Sequence, residues 1–326
     1  MRWLTGLVVA VFVLWGGYWV VGSTAMERAA TRWFADAPAR GLVAENTGLA
    51  VHGFPSRFDL TVEGVRIGDP ARGIEWQAPF AQVLMLSYQP WHMILALPDE
   101  QVLTLPQGRF GIRSDRMRGS LVVVPGPALA LDRMRGEGMA VHVALPDGQT
   151  LQADTVNVAT ERDPAQDNAH RIGVEVANLL LPAGVAARTG LPAAVSDLHL
   201  DAVARFTAPI DRHLRETRPE IAALAVRDAR LVWGEVTVAA SGDLVADASG
   251  FAEGRLVVRV RNWRTALTAA QTAGLIPENL ARTLERGLQV MAVTGGNPDE
   301  LSVPLDFAQG AARLGPIPLG AAPRLR

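Results

Sequence analysis

Residues Trp3 to Gly22 (WLTGLVVAVFVLWGGYWVVG) form an unbroken apolar run, and no charge follows it until Glu27. A helix of that length, at about 1.5 Å per residue, reaches roughly 30 Å, the thickness of a bilayer's hydrocarbon core. Trp3 lies at one end and Tyr18 and Trp19 near the other, where amphipathic rings favour the membrane interfaces. The run is therefore read as a membrane anchor, and everything after it has to fold beside a bilayer.

A cleavable signal carries a shorter apolar region, about 7–15 residues. The run exceeds that length, which favours a retained anchor over cleavage near Ser23-Thr24-Ala25. Only Arg2 and the amino terminus precede it, whereas Arg28, Arg32 and Arg40 follow it. That charge count opposes export of the C-terminal part. A very short N-terminal tail before a long apolar segment is nevertheless the usual form of an export signal. The expected arrangement is a single-pass inner-membrane protein with its C-terminal body in the periplasm.

Composition removes several classes of chemistry. The chain has no cysteine, which excludes disulfides, Cys-ligated zinc, iron–sulfur clusters and thiol nucleophiles. It also has no lysine, so no serine–lysine dyad exists, and all 31 basic residues are arginine. A net charge of −2 lacks the basic excess that nucleic-acid binding requires. The sequence has no H-E-x-x-H, no G-x-S-x-G, no Walker phosphate loop and no G-x-G-x-x-G. Its six histidines, among them His199 on the polar side of an alternating segment, are not at metal-ligand spacing. No catalytic residue, cofactor or metal is assigned, and the chain is read as a non-enzyme.

Beyond the anchor, Ser23 to Ala39 reads as a short amphipathic helix with Ala25, Ala29, Trp33 and Phe34 on one stripe, ended by Pro38 and Gly41. After that the apolar period is two. Phe58, Leu60 and Val62 alternate with polar neighbours. At Gly64 the phase flips to Val65 and Ile67, which suggests a β-bulge. Val156 and Val158, then Ile172, Val174 and Val176, repeat the alternation. So does the series Leu198, Leu200, Ala202, Ala204 and Phe206, and later Leu256, Val258 and Val260. Pro146-Asp147-Gly148 and Ser241-Gly242-Asp243 read as turns. Two helices are expected near the C-terminus, Arg264–Gly274 and Pro277–Ala292. The second carries a stripe of Leu280, Leu284, Leu288 and Met291 and stops at Gly295-Gly296. A last strand, Leu301–Phe307, holds Pro304, which restricts that position to an edge or a bulge.

The fold class is thus mainly β. A transmembrane anchor (residues 1–25) and a short linker helix (26–40) lead into a curved antiparallel sheet body (41–326) with a C-terminal helical hairpin. Two sub-repeats, about 41–160 and 161–326, are suggested by the phase-shifted strands near Arg57 and Gln149.

Three features resemble the bacterial family called domain of unknown function 2125. They are the anchor with its following helix, the segment His52-Gly53-Phe54-Pro55-Ser56-Arg57-Phe58-Asp59-Leu60, and a C-terminal block. That block runs from Ser241-Gly242-Asp243-Leu244 through Gly250-Phe251-Ala252-Glu253-Gly254-Arg255-Leu256 and Asn262-Trp263 to Gly315-Pro316-Ile317-Pro318-Leu319-Gly320. The resemblance implies a signal-anchored envelope protein of Gram-negative bacteria and carries no catalytic residue. More loosely, the order of anchor and β-rich body is similar to AsmA-like envelope proteins, a group associated with outer-membrane biogenesis and phospholipid traffic.

Strands that turn their apolar faces inward need an apolar partner, and an acyl chain can serve. Phe58, Leu60, Val62, Leu198, Leu200 and Phe206 are the candidate lining of a lipid groove. The expected partners are the membrane itself, through residues 3–22, and either phospholipid or other envelope proteins. The alternative is a filled, non-enzymatic scaffold of the envelope. Gly53-Phe54-Pro55 is read as a chain reversal with an aromatic plug, or else as a rim of the groove.

Overall fold

The structure is a computed structural model and describes residues 2–326 except 275, 295, 296 and 316. It is mainly β, with one long apolar helix at the N-terminus and a pair of helices near the C-terminus, as the sequence pattern implies. The chain divides into two compact units, one of residues 2–125 and 134–149, the other of residues 126–133 and 150–326.

The first unit opens with helix α1 (Arg2–Asp36). The anchor and the segment after it are one unbroken helix, about 52 Å long at 1.5 Å per residue. Its break comes where the sequence places it. A short 3₁₀ turn at Pro38–Arg40 follows, and Gly41 takes a left-handed conformation with φ of 73°. Strands β1 (Val43–Glu45) and β2 (Gly48–His52) pair along one side of β3 (Arg57–Asp69). On its other side β3 pairs with β4 (Ile74–Leu86). β4 in turn pairs with β5 (Gln89–Leu97) and β6 (Glu100–Leu105). β7 (Gly108–Arg113), β8 (Arg116–Val123) and, from Met134 on, β9 (Leu131–Ala144) complete the unit, all antiparallel.

The phase flip at Gly64 is real, but it is not a bulge. The pairing register of β3 with β4 is the same before and after it, Glu63 facing Phe80 and Val65 facing Ala78. Both strands flip together, because Gly64 has φ of +55° and its opposite position is Pro79, which has no N–H to donate to the ladder. A Cβ at Gly64 would come within 2.6 Å of Thr47 Oγ1, so the kink also depends on the missing side chain. The flip keeps Val62, Val65 and Ala78 on one buried cluster, against which Phe34, Leu60 and Trp76 pack.

The second unit is a sequential antiparallel meander. It begins with β10 (Thr150–Arg162), β11 (Ala169–Leu180), helix α2 (Ala183–Thr189), β12 (Ala194–Phe206), helix α3 (Leu214–Thr217) and β13 (Ile221–Trp233). It continues with β14 (Val236–Ala246), β15 (Ala252–Arg261), helices α4 (Trp263–Thr272) and α5 (Glu278–Thr294), β16 (Glu300–Ala308), β17 (Ala311–Leu314) and β18 (Ile317–Ala321). Each strand pairs with the next in sequence. The phase shift between Ala153 and Val156 is again made without a change of register, opposite Asn178, a non-glycine residue at φ of 51°.

Ser241-Gly242-Asp243 is not a turn. It lies inside β14, with Ser241 facing Val257, Gly242 facing Leu256 and Asp243 facing Arg255. Glycine is needed here for backbone approach, not for reversal: a Cβ at Gly242 would stand 2.2 Å from the Arg255 carbonyl oxygen. Pro146-Asp147-Gly148 does turn, with Gly148 at φ of 82° and Asp147 Oδ1 accepting from the Gln149 N–H. Pro304 sits at a local edge, since β17 pairs with β16 only from Leu305 to Ala308.

The helical hairpin covers one end of the meander. Leu284, Leu288 and Ala292 of α5 bury themselves with Trp263, Leu301 and Val303, and Met291, Val258 and Val260 pack around them. Leu280 of the expected stripe, and the stop at Gly295-Gly296, lie outside the described side chains and residues.

Candidate functional site

Register in the second unit decides which side chains share a face. Val156 faces Val176, which faces Leu198, which faces Leu231. One step along, Val158 faces Val174, which faces Leu200, which faces Ala229. The row continues from Leu231 to Val238, Val260 and Leu301, and from Ala229 to Ala240, Val258 and Val303. One apolar face therefore runs without interruption across seven strands, β10 to β16.

That face has two environments. Over β15 and β16 it is sealed by α5 in the cluster around Trp263. Over β10 to β13 it is only half-buried at Val156, Val174, Val176, Leu198, Leu200 and Leu231, and Val158 is 37% exposed. Among the described residues, none of these joins a buried cluster. Among the described residues these branched side chains form a broad apolar strip outside the buried clusters.

The opposite face of the same strands is charged and internally paired. Arg171 makes two 2.8 Å hydrogen bonds to Asp201, and Arg230 donates to Asp197 at 3.0 Å. The Arg171 guanidinium, by hydrogen bond and charge, holds the Asp201 carboxyl below the usual carboxylate range. His199 lies 3.6 Å from Glu175 and 3.8 Å from Asp228, beyond hydrogen-bonding reach. These partners make a surface charge ladder. Asp59 belongs to the first unit, where it pairs with Arg57 at 3.1 Å. Among the described residues no group of three His, Asp or Glu side chains could hold a metal ion.

The six expected groove residues fall into two sets. Leu198 and Leu200 stand in the open strip. Phe206 lies farther along the same strand, edge-on to the ring of His170 at 6.2 Å. Phe58, Leu60 and Val62 belong to the first unit. Leu60 and Val62 are in the cluster with Val65 and Ala78, and Phe58, 6% exposed, packs against α1. Its ring lies 6.2 Å from those of Tyr18 and Trp19, over Gly22, where a Cβ would come within 2.5 Å of the Phe58 ring.

Gly53-Phe54-Pro55 reverses the chain between β2 and β3, but Phe54 is not a plug in the core. Phe54 is 54% exposed and meets Trp19 edge-on at 5.3 Å. Gly53 has φ of 101°, and Phe54-Pro55 is a cis peptide. The helix residues Trp15, Tyr18, Trp19 and Gly22, which receive this segment, are not evident in the sequence as binding residues. They sit in an apolar run whose composition already has a sufficient explanation in the bilayer.

His170 is buried at 3% exposure with its Nδ1 unpaired. Burial holds its imidazole below the ordinary value of 6.5; Arg162 adds to the effect and Asp132 opposes it. The unfolded chain takes up this proton from about pH 6.5 downward and the folded chain only at lower pH, so acid favours unfolding through that window. His170→Leu is expected to lose less stability than the parent between pH 7 and pH 5. The comparison is between urea midpoints at the two pH values in one detergent.

The quoted sequence motifs now have structural roles. His52–Leu60 forms the seat of α1. In the C-terminal block, Gly242, Gly250 and Gly254 each lie where a Cβ would come within 2.3 Å of a backbone carbonyl oxygen. Asn262 adopts φ of 54° and donates to the Glu235 carbonyl, and Trp263 is 2% exposed. Neither a curated protein nor a solved structure matches the chain. Residues 19–323 match a bacterial family, so the chain belongs to the one described as "Uncharacterized protein conserved in bacteria (DUF2125)".

Proposed function

We propose that this is an inner-membrane-anchored envelope protein whose second unit shields lipid acyl chains on the open half of its apolar face. The observation that carries the reading is the strip of Val156, Val174, Val176, Leu198 and Leu200, half-buried with no packed cluster of its own. Each methylene covered there contributes about 0.8 kcal/mol, so about ten methylenes of one chain correspond to the roughly 8 kcal/mol of micromolar binding, before the cost of association. The body is periplasmic in this reading, and no catalytic step is assigned to it. On the opposite face Arg171 is paired with Asp201 and Arg230 with Asp197. A filled scaffold is the competing reading, and the sealed end of the same face under α5 favours it.

Alternation along β12 provides the test. A photo-crosslinking amino acid is placed in the full chain at Leu198, His199 or Leu200, and cells are grown with labelled phospholipid precursors. Lipid adducts are expected at 198 and 200, with at least a tenfold weaker adduct at 199. Adducts at none of the three, or equally at all, would remove the lipid reading and leave the scaffold.

A further inference from the structure

The apolar run and the first unit overlap in space, and the overlap fixes how deep that unit sits. Trp15 Nε1 donates to the Pro55 carbonyl at 2.9 Å, Tyr18 Oη to the Ser87 carbonyl at 2.6 Å, and Trp19 Nε1 to the Arg57 carbonyl at 2.6 Å. All three donors lie inside the apolar run, residues 3–22. Only residues 3–14 are left clear of these contacts, about 18 Å of helix. A hydrocarbon core is roughly 30 Å thick. The helix cannot cross it on that portion alone, so the part bonded to the β-turns has to lie within the membrane as well.

The turns are built for that position. Phe54 is 54% exposed, Tyr88 58% and Leu86 36%, and they lie on the two reversals that receive α1, between β2 and β3 and between β4 and β5. A backbone carbonyl at membrane depth is costly unless it is bonded within the protein. Here the three carbonyls are met by indole and phenol donors from the helix. Aromatic side chains with one polar edge are the residues that favour this boundary.

We infer that the Gly53–Ser56 and Ser87–Tyr88 turns are immersed in the lipid of the membrane that α1 spans, with Phe54 and Tyr88 among the acyl chains near the headgroups. The bilayer is the occupant, because the surface is continuous with the spanning helix. This does not depend on lipid binding by the second unit.

The absence of native cysteine makes the test direct. Tyr88→Cys, Phe54→Cys and Ala71→Cys are made singly in the full chain, labelled with an environment-sensitive nitrobenzoxadiazole group and placed in phosphatidylcholine–phosphatidylglycerol nanodiscs. Ala71 is exposed at the far end of the β3–β4 hairpin, roughly 40 Å of strand away. Doxyl groups at carbon 5 of the lipid are expected to quench labels 54 and 88 at least fivefold more than label 71. Aqueous iodide should show the reverse order. Labels 54 and 88 behaving like label 71 would overturn the inference. Phe54 packs on Trp19, so if its variant misfolds by circular dichroism, position 88, which is exposed, decides alone.

Discussion

Gly242→Ala is expected to lower stability by about 3 kcal/mol, enough to keep most of the protein from accumulating. Its Cβ would lie 2.2 Å from the Arg255 carbonyl oxygen, and φ of +143° adds strain that an L side chain does not relieve. Gly254→Ala should behave alike, because the approach is reciprocal: its Cβ would meet the Asp243 carbonyl at 2.3 Å with φ of +138°. The neighbours in both cases are main chain, so relief means moving β14 away from β15. Gly173→Ala is the control. It too lies in a strand, but nothing stands within 4 Å of its Cβ and its φ is not positive, so the change should be neutral or slightly stabilising. Urea midpoints in one detergent, with hydrogen exchange of the β14–β15 amides, make the comparison. Equal midpoints for Gly242→Ala and Gly173→Ala would mean the two strands separate at little cost.

Trp263→Ala is expected to cost about 3–5 kcal/mol and to release α4 and α5 from the sheet. Trp263 is 2% exposed and sits among Leu284, Leu288, Ala292, Leu301 and Val303. Its Nε1 donates to the Pro298 carbonyl at 3.0 Å, and the Arg264 guanidinium lies over the ring at 4.5 Å. Trp263→Phe separates these contributions. It keeps most of the packing and loses the hydrogen bond, so a loss of about 1–2 kcal/mol is expected. Protease cutting within 273–299 should appear with the alanine variant and stay weak with phenylalanine. Rapid cutting in both would place the hydrogen bond, not the packed ring, in control of the hairpin.

Alternation made most of the β-body legible, since a period of two leaves few other ways to bury Phe58 and Val62 or Leu198 and Leu200. It could not reveal which strands were one and which were two. Gly242 and Gly64 look alike in sequence, as a glycine between two alternating stretches. One allows close strand contact, and the other lets both strands kink against Pro79. The difference lies in the opposite strand, and a single stretch of sequence does not name its partner. Leu198 and Leu200 were recognisable as face residues, but their neighbours Val156 and Val176 depend on register. The tie between Trp15, Tyr18, Trp19 and the turns was hidden for another reason: aromatic residues near the end of an apolar run are expected from the bilayer interface alone.

Helix α1 is unbroken from Arg2 to Asp36, and it is held to the first unit at Trp15–Trp19 and again at Phe34. This is a mount with no slack. A tether with a loose hinge would let the attached unit swing through tens of ångströms and sample distant surfaces. Here the first unit turns only when the helix turns, so its heading relative to the membrane plane is set by the helix tilt. A unit held in this way cannot reach out to a distant surface, so whatever binds it has to come to it.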